Sequence, residues 1–138
     1  MREGAELELN TFIDEWTESP EKNRATFVHL RNYLGDKKGV TLDFVSRPGV
    51  TYSLRAVHAN QKDKKLFVMV DVIEDACRWL SICFYGEMIT DPEKKGDVVP
   101  GGLLGEDAVC FDIEERDDAL IRYIEARLDE ACHFAARV

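Results

Sequence analysis

Side chains that could hold a ligand recur at odd-numbered positions in the middle of the chain. Asp43, Ser53, Asp71 and Ser81 supply carboxylates and hydroxyls, and Arg55 follows Ser53 closely. Carboxylate oxygens bind cations and basic groups, so this set predicts a small-ligand or metal site if the fold brings its members together. A solvated or salt-bridged patch, in which Arg55 neutralises the acids, is the alternative interpretation.

The histidines and the catalytic motifs give no sign of an active site. The chain contains neither of the motifs GxSxG and HExxH, and its histidines, His29, His58 and His133, lie far apart in the sequence. We therefore expect no catalytic residue and no cofactor. The sequence favours a protein that is not an enzyme.

The cysteines are predicted to be reduced thiols. Cys77, Cys83, Cys110 and Cys132 form no CxxC pair and match no zinc-binding spacing, so we expect no metal. Small buried apolar positions are the usual place for such cysteines. A catalytic couple of Cys83 with His58 is disfavoured, because odd and even positions of neighbouring strands point to opposite faces of the sheet.

The stretch DPEKKGDVVPGGLLGED, residues 91–107, interrupts the periodic pattern on both sides of it. Its glycines form no phosphate-binding GxGxxG or GxxxxGK[ST] motif, and its acids lack the spacing of a calcium loop. Leu103 and Leu104 are an apolar pair that we expect to be buried, which would anchor the loop as a cover over a sheet edge or face. A mobile lid over a ligand site is the alternative.

Length and charge bound the class of protein. The chain has 138 residues, of which 45% are hydrophobic, and a formal net charge of −9. This length predicts a single domain over residues 1–138. The negative charge argues against nucleic acid or an anionic membrane as a partner, because both repel an acidic protein. An apolar run of ~20 residues and an N-terminal signal segment are both missing, so we expect a cytoplasmic protein.

Apolar residues at helical spacing predict three helices. Apolar side chains at intervals of three and four residues predict a helix over residues 4–17. Ser19 followed by Pro20 is typical of the start of a second helix, which is expected to end at Gly35. Acids in residues 114–118 and the apolar stripe after them predict a third helix.

Between the second and third helices the apolar period changes to two. Even-numbered apolar residues predict strands over residues 40–44, 52–56, 66–72 and 80–84, and a fifth strand is predicted over residues 109–113. Short connections make the sheet antiparallel. The predicted fold is α+β, a two-layer domain with a twisted antiparallel sheet of about five strands and helices on one face. The order is α-α-β-β-β-β-loop-β-α, and the last strand is expected to pair with residues 80–85 or 40–45.

The register of the strands follows from keeping each apolar set on one face, because a slip of one residue exchanges the faces. A three-residue loop with Gly49 in the left-handed conformation pairs Phe44 with Tyr52. The same reasoning pairs Leu54 with Val70.

The odd-numbered side chains then form a second face of mixed character. Asp43, Ser53, Asp71 and Ser81 are predicted to share one cross-strand row. Around that row lie the apolar candidates Phe67, Met69, Ile73, Trp79, Cys83 and Tyr85. Three helices cover only one face of such a sheet, so we expect this face to stay partly open. A contiguous aromatic and methionine surface is typical of an interface.

Three segments, RPGVTYSLRA, WLSICFY and DPEKKGDVVPGGLLGEDAVCFDI, resemble parts of small uncharacterised bacterial proteins of about this length. The resemblance covers residues 40–113 and implies no particular chemistry. In composition the chain also resembles type III secretion chaperones, which are small, acidic, cytosolic, dimeric α+β proteins. Two helices before the first strand and no clear helix between the third and fourth strands depart from the chaperone order.

The sequence therefore favours a non-enzymatic binding or adaptor module. Its predicted partner is a second copy of the chain, as a homodimer, or another protein, bound through the odd-numbered face. The alternative is a small-ligand or metal site, with enzymatic activity left open, around Asp43, Arg55 and Asp71 beneath residues 91–107. A third interpretation is that residues 86–107 fold over the odd-numbered face as ordinary core.

Overall fold

The computed structural model describes residues 4–137, so residues 1–3 and 138 of the predicted domain lie outside it. Residues 4–137 form three α-helices and a six-stranded antiparallel sheet, which confirms the predicted α+β class with one more strand than expected. The elements are α1 (Ala5–Glu15), α2 (Asn23–Gly35), β1 (Val40–Arg47), β2 (Thr51–His58), β3 (Val68–Ile73), β4 (Trp79–Tyr85), a short 3-10 helix (Gly86–Met88), β5 (Asp97–Leu103), β6 (Glu106–Ile113) and α3 (Asp118–Ala135). Among these helices none is long and apolar enough to cross a membrane.

The strand order is β1-β2-β3-β4-β6-β5, and every neighbouring pair is antiparallel. The strand predicted over residues 109–113 is part of β6, and it pairs with β4, which was one of the two expected positions. Ile82 of β4 faces Phe111 of β6 in this pairing. The edges of the sheet are therefore β1 and β5.

Residues 91–107 do not remain a loop, because Asp97–Leu103 forms the edge strand β5. β5 and β6 make a hairpin that is closed by Leu104 and Gly105, which have positive φ angles of 51° and 86°. Two such residues in succession are the pattern of a type I′ hairpin turn. Pro100 masks the strand in the sequence, but an edge strand tolerates proline because its outward N–H groups have no ladder partner.

The two leucines at the end of β5 have opposite environments. Leu103 is fully buried, as predicted, whereas Leu104 is 49% exposed, so the prediction that both are buried is wrong. Successive side chains of an extended chain point to opposite sides. An adjacent apolar pair at a hairpin end therefore places only one member in the core.

The hairpin between β1 and β2 has a different register from the one predicted. Phe44 faces Leu54, and the predicted partner, Tyr52, lies opposite Ser46. The difference is a shift of two residues, which leaves every side chain on its predicted face. The predicted pairing of Leu54 with Val70 is confirmed.

The turn between these strands explains the shift. The loop has three residues and Gly49 has a positive φ of 81°, both as predicted. The turn begins at Arg47, whose carbonyl accepts a hydrogen bond of 2.9 Å from the N–H of Val50. Pro48 and Gly49 thus take the two central positions, which are their preferred places in a type II turn. Val50 is therefore the last loop residue, and the first cross-strand pair after the loop is Arg47 with Thr51.

The helices pack on the face of the even-numbered residues. Phe12 of α1 stacks on Tyr52 of β2 with ring centres 4.4 Å apart. Phe27 of α2 meets Phe12 edge to face at 6.0 Å, and Tyr123 of α3 meets Phe111 of β6 at the same separation. The even-numbered residues 52–56 of β2, 68–72 of β3 and 80–84 of β4 are all buried beneath this layer, which confirms the predicted core face.

The start of α2 differs from the prediction. The helix begins at Asn23 and not after Ser19, whose hydroxyl does not cap it. The carboxylate of Glu18 accepts hydrogen bonds from the N–H groups of Arg24 at 3.2 Å and Ala25 at 2.8 Å. Glu18 thereby satisfies two N–H groups in the first turn and places negative charge at the positive end of the helix.

Candidate interaction surface

The side of the sheet opposite the helices carries the odd-numbered residues of β1 to β4, and we call it the outer face. Pairing of β4 with β6 adds Ala108, Cys110 and Asp112, and pairing of β6 with β5 adds Asp97, Val99 and the fully buried Leu103, which is opposite Glu106. All three helices in residues 4–137 pack on the other side, so the outer face has no helical cover. This agrees with the expectation that one face of the sheet stays partly open.

A row of polar side chains crosses the middle of the outer face. Ser53 faces Asp71, Asp71 faces Ser81, and Ser81 faces Asp112. The first three were predicted to share a row, and the structure places them together. Asp112 was not predicted, although its position could be read from the sequence. Valine, phenylalanine and isoleucine at alternate positions of β6 point to the core, which turns Asp112 outward.

Asp43 does not belong to this row. The shift of β1 places Asp43 opposite Arg55 and Val45 opposite Ser53, so the predicted pair of carboxylates on either side of Ser53 is wrong. Arg55 is drawn towards the row, because its Nε donates a hydrogen bond of 3.2 Å to Oγ of Ser53. The positive charge of Arg55 therefore lies between Asp43 and Asp71.

Asp71 is poorly solvated for a carboxylate. One of its oxygens is buried without a hydrogen-bond partner among residues 4–137. Burial raises the pKa of Asp71 above its ordinary value, and a hydrogen bond from Ser53 and the charge of Arg55 oppose the rise. An ionised carboxylate in such a place costs stability. Buried groups of this kind are more common at functional sites than elsewhere.

Apolar residues next to the polar row are only partly covered. Ile73 faces Trp79, and both are half-buried. Met69 faces Cys83 in the row on the other side, and both are buried by neighbouring side chains. The apolar part of the outer face that solvent can reach is therefore concentrated at Ile73 and Trp79.

The other two aromatic candidates of the outer face are not exposed to solvent. Phe67 and Tyr85 are both buried. The ammonium group of Lys64 lies 4.8 Å from the centre of the Tyr85 ring and forms an ion pair with Glu106. Trp79 is therefore the only aromatic candidate on the outer face that solvent can reach. At Tyr85 the ring is covered by Lys64.

The outer face carries opposite charges at its two sides. Arg47 and Arg55 lie on β1 and β2, whereas Asp112 and Asp97 lie on β6 and β5. Arg47, Asp97 and Asp112 are exposed, and Arg55 is half-buried. The arginines thus lie at the β1–β2 edge, where Asp43 is opposite Arg55, and Asp97 and Asp112 lie at the β6–β5 edge.

Two cysteines face each other near the centre of the outer face. Cys83 of β4 is the direct cross-strand partner of Cys110 of β6. The sequence predicted an outer position for Cys83 but did not place Cys110 beside it, because the partner of the last strand was open. Both thiols are free, and Cys83 and Cys110 are 5% and 6% exposed.

Residues 91–107 do not cover the polar row. β5 lies beside β6, so two strands separate it from Asp71 on β3. Asp91, before β5, accepts a hydrogen bond from Tyr123 of α3 and so lies towards the helices. The part of the chain that the structure describes contains no group of three or more His, Cys, Asp or Glu side chains that could hold a metal ion.

No protein-family model, curated protein or solved structure matches this chain. Function is therefore inferred from the shape, charge and burial of the outer face.

Proposed function

We propose that this protein is a non-enzymatic binding module that self-associates as a homodimer through its outer face. The observation that supports this most is the one-sided packing of the helices, which leaves Ile73 and Trp79 half-buried on an uncovered face. An antiparallel sheet that faces water normally carries a polar outer side. A partly apolar one is typical of a surface that is covered by another molecule.

The arrangement of charge favours a second copy of the chain as the partner. A two-fold axis along the strands, between β3 and β4, lays the β1–β2 side of one protomer over the β6–β5 side of its partner. Arg47 and Arg55 then approach the side of the partner that carries Asp97 and Asp112. The same operation lays Ile73 over the partner's Trp79, since the two share a row. The apolar row is thus self-complementary and the net charges of the two sides are opposite, while Asp43 comes over the partner's Asp97 as a like-charge contact.

The size of the outer face indicates a dimer of moderate affinity. Six strands at about 4.8 Å spacing and about seven residues in length present roughly 650 Å² per protomer. Two such faces bury about 1,300 Å², which is near the lower limit for a specific interface. We therefore expect a concentration-dependent equilibrium between monomer and dimer.

Light scattering across about 1–100 μM protein tests the proposal. The wild-type mass is expected to rise towards twice the mass of one chain, and Trp79→Asp is expected to hold it at one, because a buried unpaired charge is costly at an interface. Leu7→Asp is the matched control, since Leu7 is 73% exposed on α1, away from the outer face. A wild type that stays monomeric at the highest concentration would refute the proposal.

A charge exchange tests the orientation of the partner. Arg55→Glu and Asp112→Arg should each weaken the dimer, because each places like charges across the interface. The double variant should recover much of the loss, because the attraction is restored with its sign reversed. Equal weakening in the single and double variants would show that these two side chains do not face each other in the dimer.

The remaining parts of the proposal concern location and other partners. A cytoplasmic location is part of the proposal, and the net charge of −9 supports a partner that is neither nucleic acid nor an anionic membrane. The resemblance to small bacterial proteins and to type III secretion chaperones stays a prediction. If the wild type is monomeric, a different protein becomes the candidate partner for the same face.

One observation favours the second candidate, a small-ligand site at the polar row. The buried oxygen of Asp71 without a partner is an acceptor that a cation or a small amine could satisfy. Thermal-shift measurements with divalent cations and small amines test this. Stabilisation that disappears in Asp71→Asn would support the site, and no stabilisation of the wild type across the panel would remove it.

A further inference from the structure

The cross-strand pair of Cys83 and Cys110 has the geometry for a covalent bond. Direct partners in an antiparallel sheet have Cα atoms about 4.5–5.5 Å apart, and disulfides are found at about 4.4–6.8 Å. The two side chains lie on the same face, because direct partners always do. Cys77 and Cys132, by contrast, are not cross-strand partners of any cysteine in residues 4–137.

We propose that Cys83 and Cys110 are a redox site, which a small two-electron oxidant such as hydrogen peroxide converts to a reversible disulfide between β4 and β6. The site lies on the face without helical cover, where 5% of Cys83 and 6% of Cys110 remain exposed, so the proposal requires an oxidant little larger than water. The proposal concerns one protomer and is independent of self-association.

The two thiols have different roles in the reaction. Interaction with the Cys83 thiol lowers the pKa of Cys110, which makes Cys110 the better nucleophile. The same interaction and then burial raise the pKa of Cys83, so Cys83 stays protonated. The Ser81 hydroxyl, 3.5 Å from the Cys83 sulfur, opposes this rise in the pKa of Cys83 without cancelling it. Cys110 is therefore the thiolate that attacks the oxidant, and Cys83 is the resolving residue.

The reaction balances in two steps. The Cys110 thiolate attacks one oxygen of hydrogen peroxide, so that an S–O bond forms, the O–O bond breaks and hydroxide leaves. The sulfur of Cys83 then attacks the sulfur of the sulfenic acid. The S–S bond forms, the S–O bond breaks, and the leaving hydroxide takes the Cys83 proton and departs as water. The proton that Cys110 released on forming the thiolate joins the hydroxide of the first step as water. Two thiols are thus oxidised, and one peroxide is reduced to two waters.

The disulfide is expected to be easily reduced. Cβ atoms of cross-strand pairs are about 4.5–5.5 Å apart, whereas those of a disulfide are about 3.5–4.5 Å apart. Oxidation must therefore draw β4 and β6 together at this position. Strained disulfides have more oxidising potentials and are the labile ones. A reversible bond fits this geometry better than a permanent structural one.

The remaining cysteines are poor competitors for the oxidant. The Cys77 thiol donates a hydrogen bond of 3.2 Å to the Glu21 carboxylate, and this interaction raises its pKa. Burial raises the pKa of Cys132. Both are expected to remain thiols under conditions that oxidise the pair.

Peptide mapping of the unmodified sequence tests the proposal without any variant. Reduced protein at low micromolar concentration is treated with hydrogen peroxide, and free thiols are alkylated before proteolysis. We expect loss of two of the four alkylation sites, a peptide pair joined through Cys83 and Cys110, and recovery of all four sites after dithiothreitol. Both residues alkylated after oxidation, or a bond that involves Cys77, Cys132 or a second chain, would overturn the proposal.

Two variants separate the roles of the thiols. Cys83→Ser should leave a sulfenic acid on Cys110 that dimedone traps, whereas Cys110→Ser should trap little at Cys83. The reverse labelling would show that the order of attack is wrong. Cys77→Ser/Cys132→Ser is the matched control, and it should form the disulfide at the wild-type rate. If disulfide formation is slower at high protein concentration, the reason is that a second copy covers the outer face. That result would bear on dimerisation and would leave the disulfide proposal intact.

Discussion

The two faces of the sheet come from the same strands but have different compositions. On the helix-covered face, the even-numbered side chains of β2, β3 and β4 are apolar and buried, except for half-buried His58 at the end of β2. On the outer face, serines, aspartates and an arginine lie among Met69, Ile73 and Trp79, and one oxygen of Asp71 is buried without a partner in residues 4–137. The first face stabilises the fold. The second retains groups that cost stability, as expected of a surface with another role.

The edge hairpin offers the largest contrast between buried and open positions. Leu103→Ala is expected to lower the free energy of unfolding by about 2–4 kcal/mol, because it removes a fully buried side chain. Leu104→Ala, at the next residue, should change it by less than about 0.5 kcal/mol. Urea denaturation of the two variants measures the difference. Equal losses would mean that the hairpin does not hold the two leucines in different environments.

The same substitution, valine to alanine, can be made on each face of the sheet to compare the stability that the two faces contribute. Val72→Ala on the helix-covered face should cost about 2–3 kcal/mol, because Val72 is fully buried in the core. Val45→Ala on the outer face should cost less than about 1 kcal/mol, because Val45 is half-buried. Chemical denaturation at low micromolar protein keeps the comparison to the monomer. Similar costs would remove the distinction between the faces.

The polar row predicts a substitution that stabilises the protein. Asp71→Asn should raise the free energy of unfolding at pH 7 by about 1 kcal/mol, because the neutral amide avoids the cost of burying a charge, and one pKa unit corresponds to about 1.4 kcal/mol. The folded-state pKa of Asp71 is raised, so its ionisation opposes folding above that pKa. The advantage of asparagine should therefore shrink as pH falls through the raised pKa towards the ordinary value. Denaturation at several pH values checks this, and an advantage that grows at low pH would contradict it.

The smallest predicted effect is at the turn of the edge hairpin. Leu104 has a positive φ of 51°, which asparagine adopts more readily than leucine. Leu104→Asn creates the Asn-Gly pair that a type I′ turn prefers. It should raise the melting temperature slightly, with a gain of about 0.5 kcal/mol. A loss of stability would show that the exposed leucine makes a contact that the asparagine cannot replace.

Alternation of apolar residues made the two faces predictable. The positions of Leu54, Val70 and Ile82 follow from a period of two, and a register shift of two residues does not alter them. The start and end of elements were less predictable. The α2 start depends on Glu18, whose carboxylate is brought to the helix by the path of the preceding turn. Sequence patterns near the helix cannot show that path.

The outer face was predicted only in part for a similar reason. Ser53, Asp71 and Ser81 lie on strands joined by short connections, so their row could be worked out. Cys110 and Asp112 lie on β6, whose neighbouring strands depend on the order of the whole sheet. Pro100 made β5, the strand next to β6, hard to recognise in the sequence. Local patterns define which way a side chain points, whereas its neighbours across the sheet depend on the order of the strands.

Solvent access to Trp79 as a function of protein concentration tests the central claim most directly. The chain has two tryptophans, and Trp16→Phe leaves Trp79 as the only fluorophore of its kind. Acrylamide quenching is then measured from about 0.1 to 100 μM protein. Self-association through the outer face predicts that quenching falls and the emission shifts to shorter wavelength as the concentration rises. Quenching and emission that stay constant over this range would contradict the account.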